Sequence, residues 1–212
     1  MDTNTFNNLI SQTWPDLHVA STLGGGTFGT VYACTKTDAV TGVTQKEAVK
    51  VVRVDFTPED RASADEEGIP FADYYRAVKE KRLQEIRWMV ALKSPHIVHI
   101  NGYTAIEEPD HSALYILIRM DCLTALDQLR PAHLDDTPEQ AAALAEKVAL
   151  DICDALRVCH ENGICHRDIK PANILYGATG DFYLGDFGVS QYTAAPDATL
   201  TSSGTARYAA PE

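Results

Sequence analysis

A chain of 212 residues, 45% hydrophobic and 23% charged, is long enough for a sizeable core in one domain or two small lobes, and has the make-up of a soluble globular protein. The net charge of −12 argues against a general nucleic-acid surface, which needs a basic stripe, and says nothing of substrate. The cysteines, Cys34, Cys122, Cys153, Cys159 and Cys165, are odd in number and form no CxxC pair, so they read as reduced packing residues of a cytoplasmic protein.

Residues 1–8 are polar and lack the basic start and apolar middle of a signal peptide. Residues 1–17 read as a short extension closed by Trp14-Pro15. From His18 onward, short β-branched and apolar runs alternate with glycines. Residues 18–23 and 30–34 read as strands joined by a Gly-rich turn, 37–45 as a polar hairpin loop, and 47–54 as a buried third strand. Residues 57–70 are acidic, broken by Gly68 and Pro70, and read as an insertion with room for one helical turn. A helix follows over 71–92, stopped by Ser94-Pro95. Residues 97–103 and 114–119 read as further strands, and 121–129 as a connector running into a short helix.

Thr137-Pro138-Glu139-Gln140 carries a helix start: Thr137 can cap, Pro138 suits the first helical position, and Gln140 completes a capping box. Leu144, Val148, Ile152, Leu156 and Cys159 then fall on one stripe, and Asn162-Gly163 ends the helix. The order is β-rich first and α-rich second, an α+β class without repeats. No run of about 18 apolar residues encodes a membrane span, which leaves an anchor beyond residue 212 open.

Lys50 sits inside the apolar run Ala48-Val49-Lys50, where a lysine without a partner is costly. Two motifs follow in the second half: His166-Arg167-Asp168-Ile169-Lys170-Pro171-Ala172-Asn173, then Asp186-Phe187-Gly188. With Gly24-Gly25-Gly26-Thr27-Phe28-Gly29-Thr30-Val31 and the closing Ala210-Pro211-Glu212, these residues resemble the eukaryotic-type serine/threonine protein kinases, in the form found in bacteria as well as eukaryotes. The resemblance runs from about Val19 to Glu212. It implies the bilobal protein kinase fold: a complete β-rich N-lobe over 18–118, a hinge at 119–124, and a mainly α C-lobe over 125–212. That C-lobe stops where family members have more helices.

The resemblance also implies roles. The glycine loop from Leu23 through Gly24, Gly25, Gly26, Thr27, Phe28 and Gly29 to Val31 would cover the phosphates of ATP, with backbone N–H groups approaching them closely. Lys50 would pair with Glu85 of Gln84-Glu85-Ile86-Arg87 and with the α- and β-phosphates. Asp168 would accept the substrate hydroxyl proton, Lys170 would neutralise charge on the transferred phosphate, and Asn173 and Asp186 would hold Mg2+. Ala48, Met120 and Leu175 join the nucleotide pocket, with Ile118 as its gatekeeper. Thr205 would contact Asp168 and Lys170, and Thr199 or Thr201 would be autophosphorylated. The expected activity is phosphoryl transfer from Mg-ATP to a protein serine or threonine, with no nucleic-acid partner. A homodimer is compatible with the sequence but has no residue in its support. The alternatives are a pseudokinase-like nucleotide-binding scaffold or an inactive fragment of a longer kinase. His96 and His99 have metal-like spacing, but the segment resembles the family's turn into a strand.

Overall fold

The computed structural model describes residues 3–26, 29–129, 137–187, 191–192 and 205–208. It divides into two units, Met1–Trp88 with His99–Cys122, and Met89–Val98 with Leu123–Glu212. Strands dominate the first and helix the second, the α+β class expected.

In chain order the first unit contains α1 (Thr3–Thr13), β1 (His18–Gly26), β2 (Gly29–Thr37), β3 (Thr44–Asp55), α2 (Pro58–Glu66), α3 (Phe71–Ala91) up to Trp88, β4 (Ile100–Glu107) and β5 (Ala113–Asp121). The strands form one antiparallel sheet in the order β1-β2-β3-β5-β4. Register sorts its side chains into two faces, because neighbours along a strand point opposite ways. Lys50 stands opposite Val31 and Ile118, and Ala48 opposite Ala33 and Met120, so these residues share a face. Tyr32, Cys34, Val49, Val51, Tyr115 and Leu117 occupy the other.

That second face is buried by α1. Ile10 and Leu17 are fully buried in one cluster with it, and Phe6, Leu9 and Trp14 pack alongside. Phe6, Leu9, Ile10, Trp14 and Leu17, within the segment read from the sequence as an extension, therefore pack into the core of this unit. The signal was the helical spacing of Phe6, Leu9 and Ile10, a short apolar stripe.

On the first face, Leu83 and Ile86 of α3 pack with Leu114, Ile116 and Ile118 of β5. Residues 57–70 hold more helix than expected. Thr57 and Asp60 form a reciprocal box, with Asp60 N donating to Thr57 Oγ1 at 3.2 Å and Thr57 N to Asp60 Oδ2 at 2.7 Å. Asp in place of the usual Glu or Gln hid that start. Arg61 donates to the Asp110 carbonyl at 3.0 Å and lies over the Phe71 ring at 3.8 Å. The insertion is thereby tied to both the β4–β5 turn and the start of α3.

The second unit contains β6 (Thr124–Ala125), α4 (Leu126–Leu129), α5 (Pro138–Glu161), β7 (Ile164–Cys165), a 3-10 turn (Pro171–Asn173), β8 (Ile174–Tyr176), β9 (Phe182–Leu184), β10 (Gln191–Tyr192) and a second 3-10 turn (Ala206–Tyr208). The box at Thr137 and Gln140 starts α5 as expected, and Gly163, at φ 72°, follows its end. The buried face of α5 is Asp151, Ile152, Ala155, Val158 and Cys159. Leu144, Val148 and Leu156 are only half-buried. A stripe of apolar residues could not reveal that a carboxylate lies on this face.

Strands β6, β8 and β9 form a small antiparallel sheet. Its outer edge is closed by residues 96–98: Leu184 N donates to His96 O at 2.8 Å and Val98 N to Leu184 O at 3.0 Å. The strand expected over 97–103 is thus divided, with Ile97 bridging Leu184 and β4 starting at Ile100.

Docking of α1 predicts that Ile10→Ala destabilises the first unit by about 2–5 kcal/mol, the usual result of emptying a packed aliphatic site. Urea unfolding followed by tryptophan fluorescence measures this, and an unchanged midpoint would show that α1 contributes no packing.

Candidate functional site

The chemistry of the second unit begins with a tight connection. The β8–β9 hairpin pairs Ile174 with Leu184, which sets the residues just before β8 beside those just after β9. Gly185 N accordingly donates to Asn173 O at 2.9 Å. Gly185 is packed so closely that a Cβ there would meet Leu175 at 3.0 Å and Val98 at 3.2 Å.

His166, 2% exposed, links this hairpin to Asp168. Its Nε2 lies 2.9 Å from the Gly185 carbonyl, which can only accept, and its Nδ1 lies 3.3 Å from Asp168 N, which can only donate. The two bonds together require a neutral imidazole protonated at Nε2. Burial depresses the His166 pKa, against the pull of the Gly185 bond and the charges of Asp186 and Asp168. Phe187 meets the ring edge-on, with centroids 4.8 Å apart. Arg167 and Asp186 both have left-handed backbones, at φ 68° and 54°, a conformation uncommon outside glycine and concentrated at functional sites.

Asp168 is 3% exposed and its carboxylate is fully engaged. Oδ1 accepts from Thr205 N at 2.9 Å and from Thr205 Oγ1 at 2.7 Å. Oδ2 pairs with Lys170 Nζ at 2.7 Å and accepts from Asn173 Nδ2 at 3.0 Å. Lys170 also donates to Thr205 Oγ1 at 2.9 Å. Burial alone would raise the Asp168 pKa, but the bonds from Lys170 and Thr205, the Lys170 charge and the Asn173 bond outweigh it and hold the pKa at about 2. The group is a permanent carboxylate and a weak base.

Asn173, 4% exposed, spends both amide hydrogens on Asp168, one on Oδ2 and one on the carbonyl at 2.8 Å. What it offers a further ligand is Oδ1, an oxygen suited to a hard cation, and Asp186 adds a carboxylate. Among the described residues no three His, Cys, Asp or Glu side chains gather into a metal site. A magnesium ion held here would therefore need other oxygens, such as those of phosphate and water, and the donor set fits that habit.

In the first unit, Val31, Ala48, Lys50 and Ile118 share the sheet face that α3 partly covers. Lys50 is 8% exposed. Met120 lies opposite both Ala48 and Ile100. Glu85 accepts from Arg82 at 3.2 Å along α3. Gly24 pairs with Val31 and Gly25 with Thr30 at the end of the β1–β2 hairpin, and Leu23 is exposed beside them. Gly29 is demanded by the fold: at φ 113°, a Cβ would lie 2.4 Å from Val51 O. At Gly24 a Cβ would meet nothing within 4 Å, so the fold itself gives no reason for glycine there. Leu175 lies on β8 in the second unit, opposite Tyr183. Thr27, Phe28, Gly188, Thr199 and Thr201 lie outside the described residues.

The remaining candidates find structural roles. His96 Nδ1 donates to Phe182 O at 3.0 Å, and His99 Nδ1 lies 2.7 Å from Asn101 Oδ1, so each ring has a local partner. All five cysteines are free thiols, and burial pushes Cys34 and Cys159 up to about 11. No helix among the described residues is long and apolar enough to cross a membrane.

A family model described as protein kinase domain matches residues 17–212. A serine/threonine-protein kinase of Corynebacterium efficiens is 30% identical over 218 residues, an alignment spanning 100% of this chain and 36% of that protein. Serine/threonine-protein kinase PknD of Mycobacterium tuberculosis is 39% identical over 125 residues, 57% of this chain and 17% of its own length. Aurora kinase B of Drosophila melanogaster is 31% identical over 197 residues, 93% of this chain and 52% of its own. The chain thus spans about half or less of the length of these relatives.

The neutral state of His166 carries a pH signature. Its folded pKa lies below the ordinary value of 6.5, so below that pH the unfolded chain binds more protons than the folded one. The contribution is complete above pH 6.5 and is lost as pH falls through the folded value. Denaturant unfolding between pH 7.5 and 5.5 should show stability falling with pH, and by less in His166→Asn. Identical slopes in the two proteins would contradict the neutral assignment.

Proposed function

The chain belongs to the protein kinase domain family, and we propose from that membership and the Asp168 cluster that it transfers the γ-phosphoryl group of Mg-ATP to a serine or threonine hydroxyl of a protein. The observation that carries the reading is the buried Asp168 carboxylate ringed by Lys170, Asn173 and Thr205.

The chain's own groups divide the work. Asp168 orients the acceptor hydroxyl. A carboxylate with a pKa of about 2 removes that proton only late, when bond formation has made the hydroxyl acidic, and this suits the loose transition state of phosphoryl transfer. Among the described residues four bonds reach the Asp168 carboxylate, so a substrate hydroxyl must displace or share one. The Thr205 hydroxyl can rotate away most easily, since its backbone N–H still holds Oδ1. Lys170, already bridging Asp168 and Thr205, stabilises charge gathering on the transferred group. Asn173 Oδ1 and Asp186 would hold magnesium, which when bound draws charge off the phosphate oxygens.

In the first unit, Lys50 binds the α- and β-phosphates with Glu85 as its partner, and Val31, Ala48 and Met120 face the base. The open space at Gly24 supports a loop whose backbone lies against phosphate. Specificity for serine and threonine rests on Lys170 and Thr205 acting together. Autophosphorylation at Thr199 or Thr201 would add a charge near −2, the kind of group an arginine such as Arg167 pairs with.

Asp168→Asn should lower the rate of phosphate incorporation from labelled ATP by about 10²–10⁴-fold while leaving the fold intact, since Asn keeps one acceptor oxygen. A rate equal to wild type removes Asp168 from the mechanism. Phosphopeptide mapping after incubation with Mg-ATP should find Thr199 or Thr201, and modification confined to other sites would refute that assignment.

A further inference from the structure

Asp151 is 5% exposed on the buried face of α5, and the proposed reaction gives it no part. Its Oδ2 accepts from the backbone N–H of Phe182 at 2.9 Å, and Lys147 Nζ donates to its Oδ1 at 2.9 Å. Lys147 reaches on to Asp181 Oδ1 at 2.8 Å. On the other side of the same residue, His96 Nδ1 donates to the Phe182 carbonyl. Both backbone groups of Phe182, at the start of β9, are therefore gripped by side chains from outside its own hairpin.

From Phe182 the path to the reacting groups is short and continuous. Strand β9 runs from Phe182 to Leu184, where the segment at 96–98 holds its edge. Next comes Gly185, whose N–H holds the Asn173 carbonyl and whose carbonyl orients His166. Then comes Asp186. A buried carboxylate is costly unless its partners repay it. Here the partners are Lys147, His96 Nε2 at 3.7 Å, and the backbone of the strand that leads to the proposed cation ligand Asp186 and, through Gly185, to Asn173.

We propose that Asp151 is a positioning residue: by holding Phe182 N–H it sets the β8–β9 hairpin so that Asn173 and Asp186 present their oxygens to the nucleotide-bound cation. This rests on the proposed reaction for its purpose, but not for its test. Removing the acceptor leaves a buried N–H unsatisfied, and the hairpin must shift or open to solvate it. Cation ligands lose affinity when the groups that orient them are removed.

The experiment compares wild type with Asp151→Ala and Asp151→Asn by two readouts without turnover. One is amide hydrogen exchange at Phe182 and Gly185 with no ligand present. The other is Mn2+ affinity by electron paramagnetic resonance in the presence of a non-hydrolysable ATP analogue. Asp151→Ala should speed exchange at both amides, leave the core amides of α5 unchanged, and weaken Mn2+ binding about tenfold. Asp151→Asn retains an acceptor for Phe182 N–H and should stay within about twofold of wild type in both readouts. Unchanged exchange and Mn2+ affinity in Asp151→Ala overturn the inference. So does a tenfold loss in Asp151→Asn, an outcome that decides the matter even if the alanine variant does not fold. A wild type that binds Mn2+ and nucleotide yet transfers no phosphate refutes the proposed reaction alone, since both readouts here are independent of transfer.

Discussion

His166 ties together the two backbone segments on which the chemistry of the second unit depends. One nitrogen donates to the Gly185 carbonyl and the other accepts from Asp168 N–H, and only a single neutral tautomer can do both. The arrangement is buried, so water cannot substitute for either partner. Because Gly185 precedes Asp186 and also holds the Asn173 carbonyl, one ring ties the backbone at Asp168 to that of both proposed cation ligands. The cost of strained backbone at Arg167 and Asp186 is borne by this network and by the packing of Phe187 against the ring.

Electrostatics around Asp168 follow from the same geometry. Burial opposes ionisation, yet Lys170, Thr205 and Asn173 donate to the charged form and prevail. The result is a carboxylate that stays ionised and accepts hydrogen bonds, with little driving force to take up a proton. Thr205 is thirty-seven residues away in sequence but supplies two of the four bonds, which makes the carboxylate sensitive to how the chain near residue 205 is placed.

The first unit rests on a sheet that is buried on both sides for different reasons. One face meets α1, and its residues are packed for stability alone. The other meets α3 over β5 and presents Lys50, Val31 and Ala48. A run that is apolar on both sides of Lys50 announces burial but cannot assign partners to faces. Pairing register does that, since a slip of one residue would exchange every side chain between them.

Local chemistry made much of this chain legible. The reciprocal box at Thr137 and Gln140, the glycine after α5 and the strand carrying Lys50 follow from rules that act over a few residues, while the order His166, Asp168, Lys170, Asn173 and Asp186 was legible through its resemblance to a family. Other features depended on contacts distant in sequence. The helix in residues 3–13 is stable because a sheet face is there to receive it, as short isolated helices are marginal. Asp151 lies on an apolar face because Phe182, thirty-one residues on, supplies its partner. The strand at 97–103 breaks because residues 96–98 pair with β9 and not with the first sheet. Sequence determined which groups the chain owns and the local structure that carries them. Tertiary structure decided which of those groups meet, because hydrogen bonds and burial are satisfied by whatever lies nearest in space.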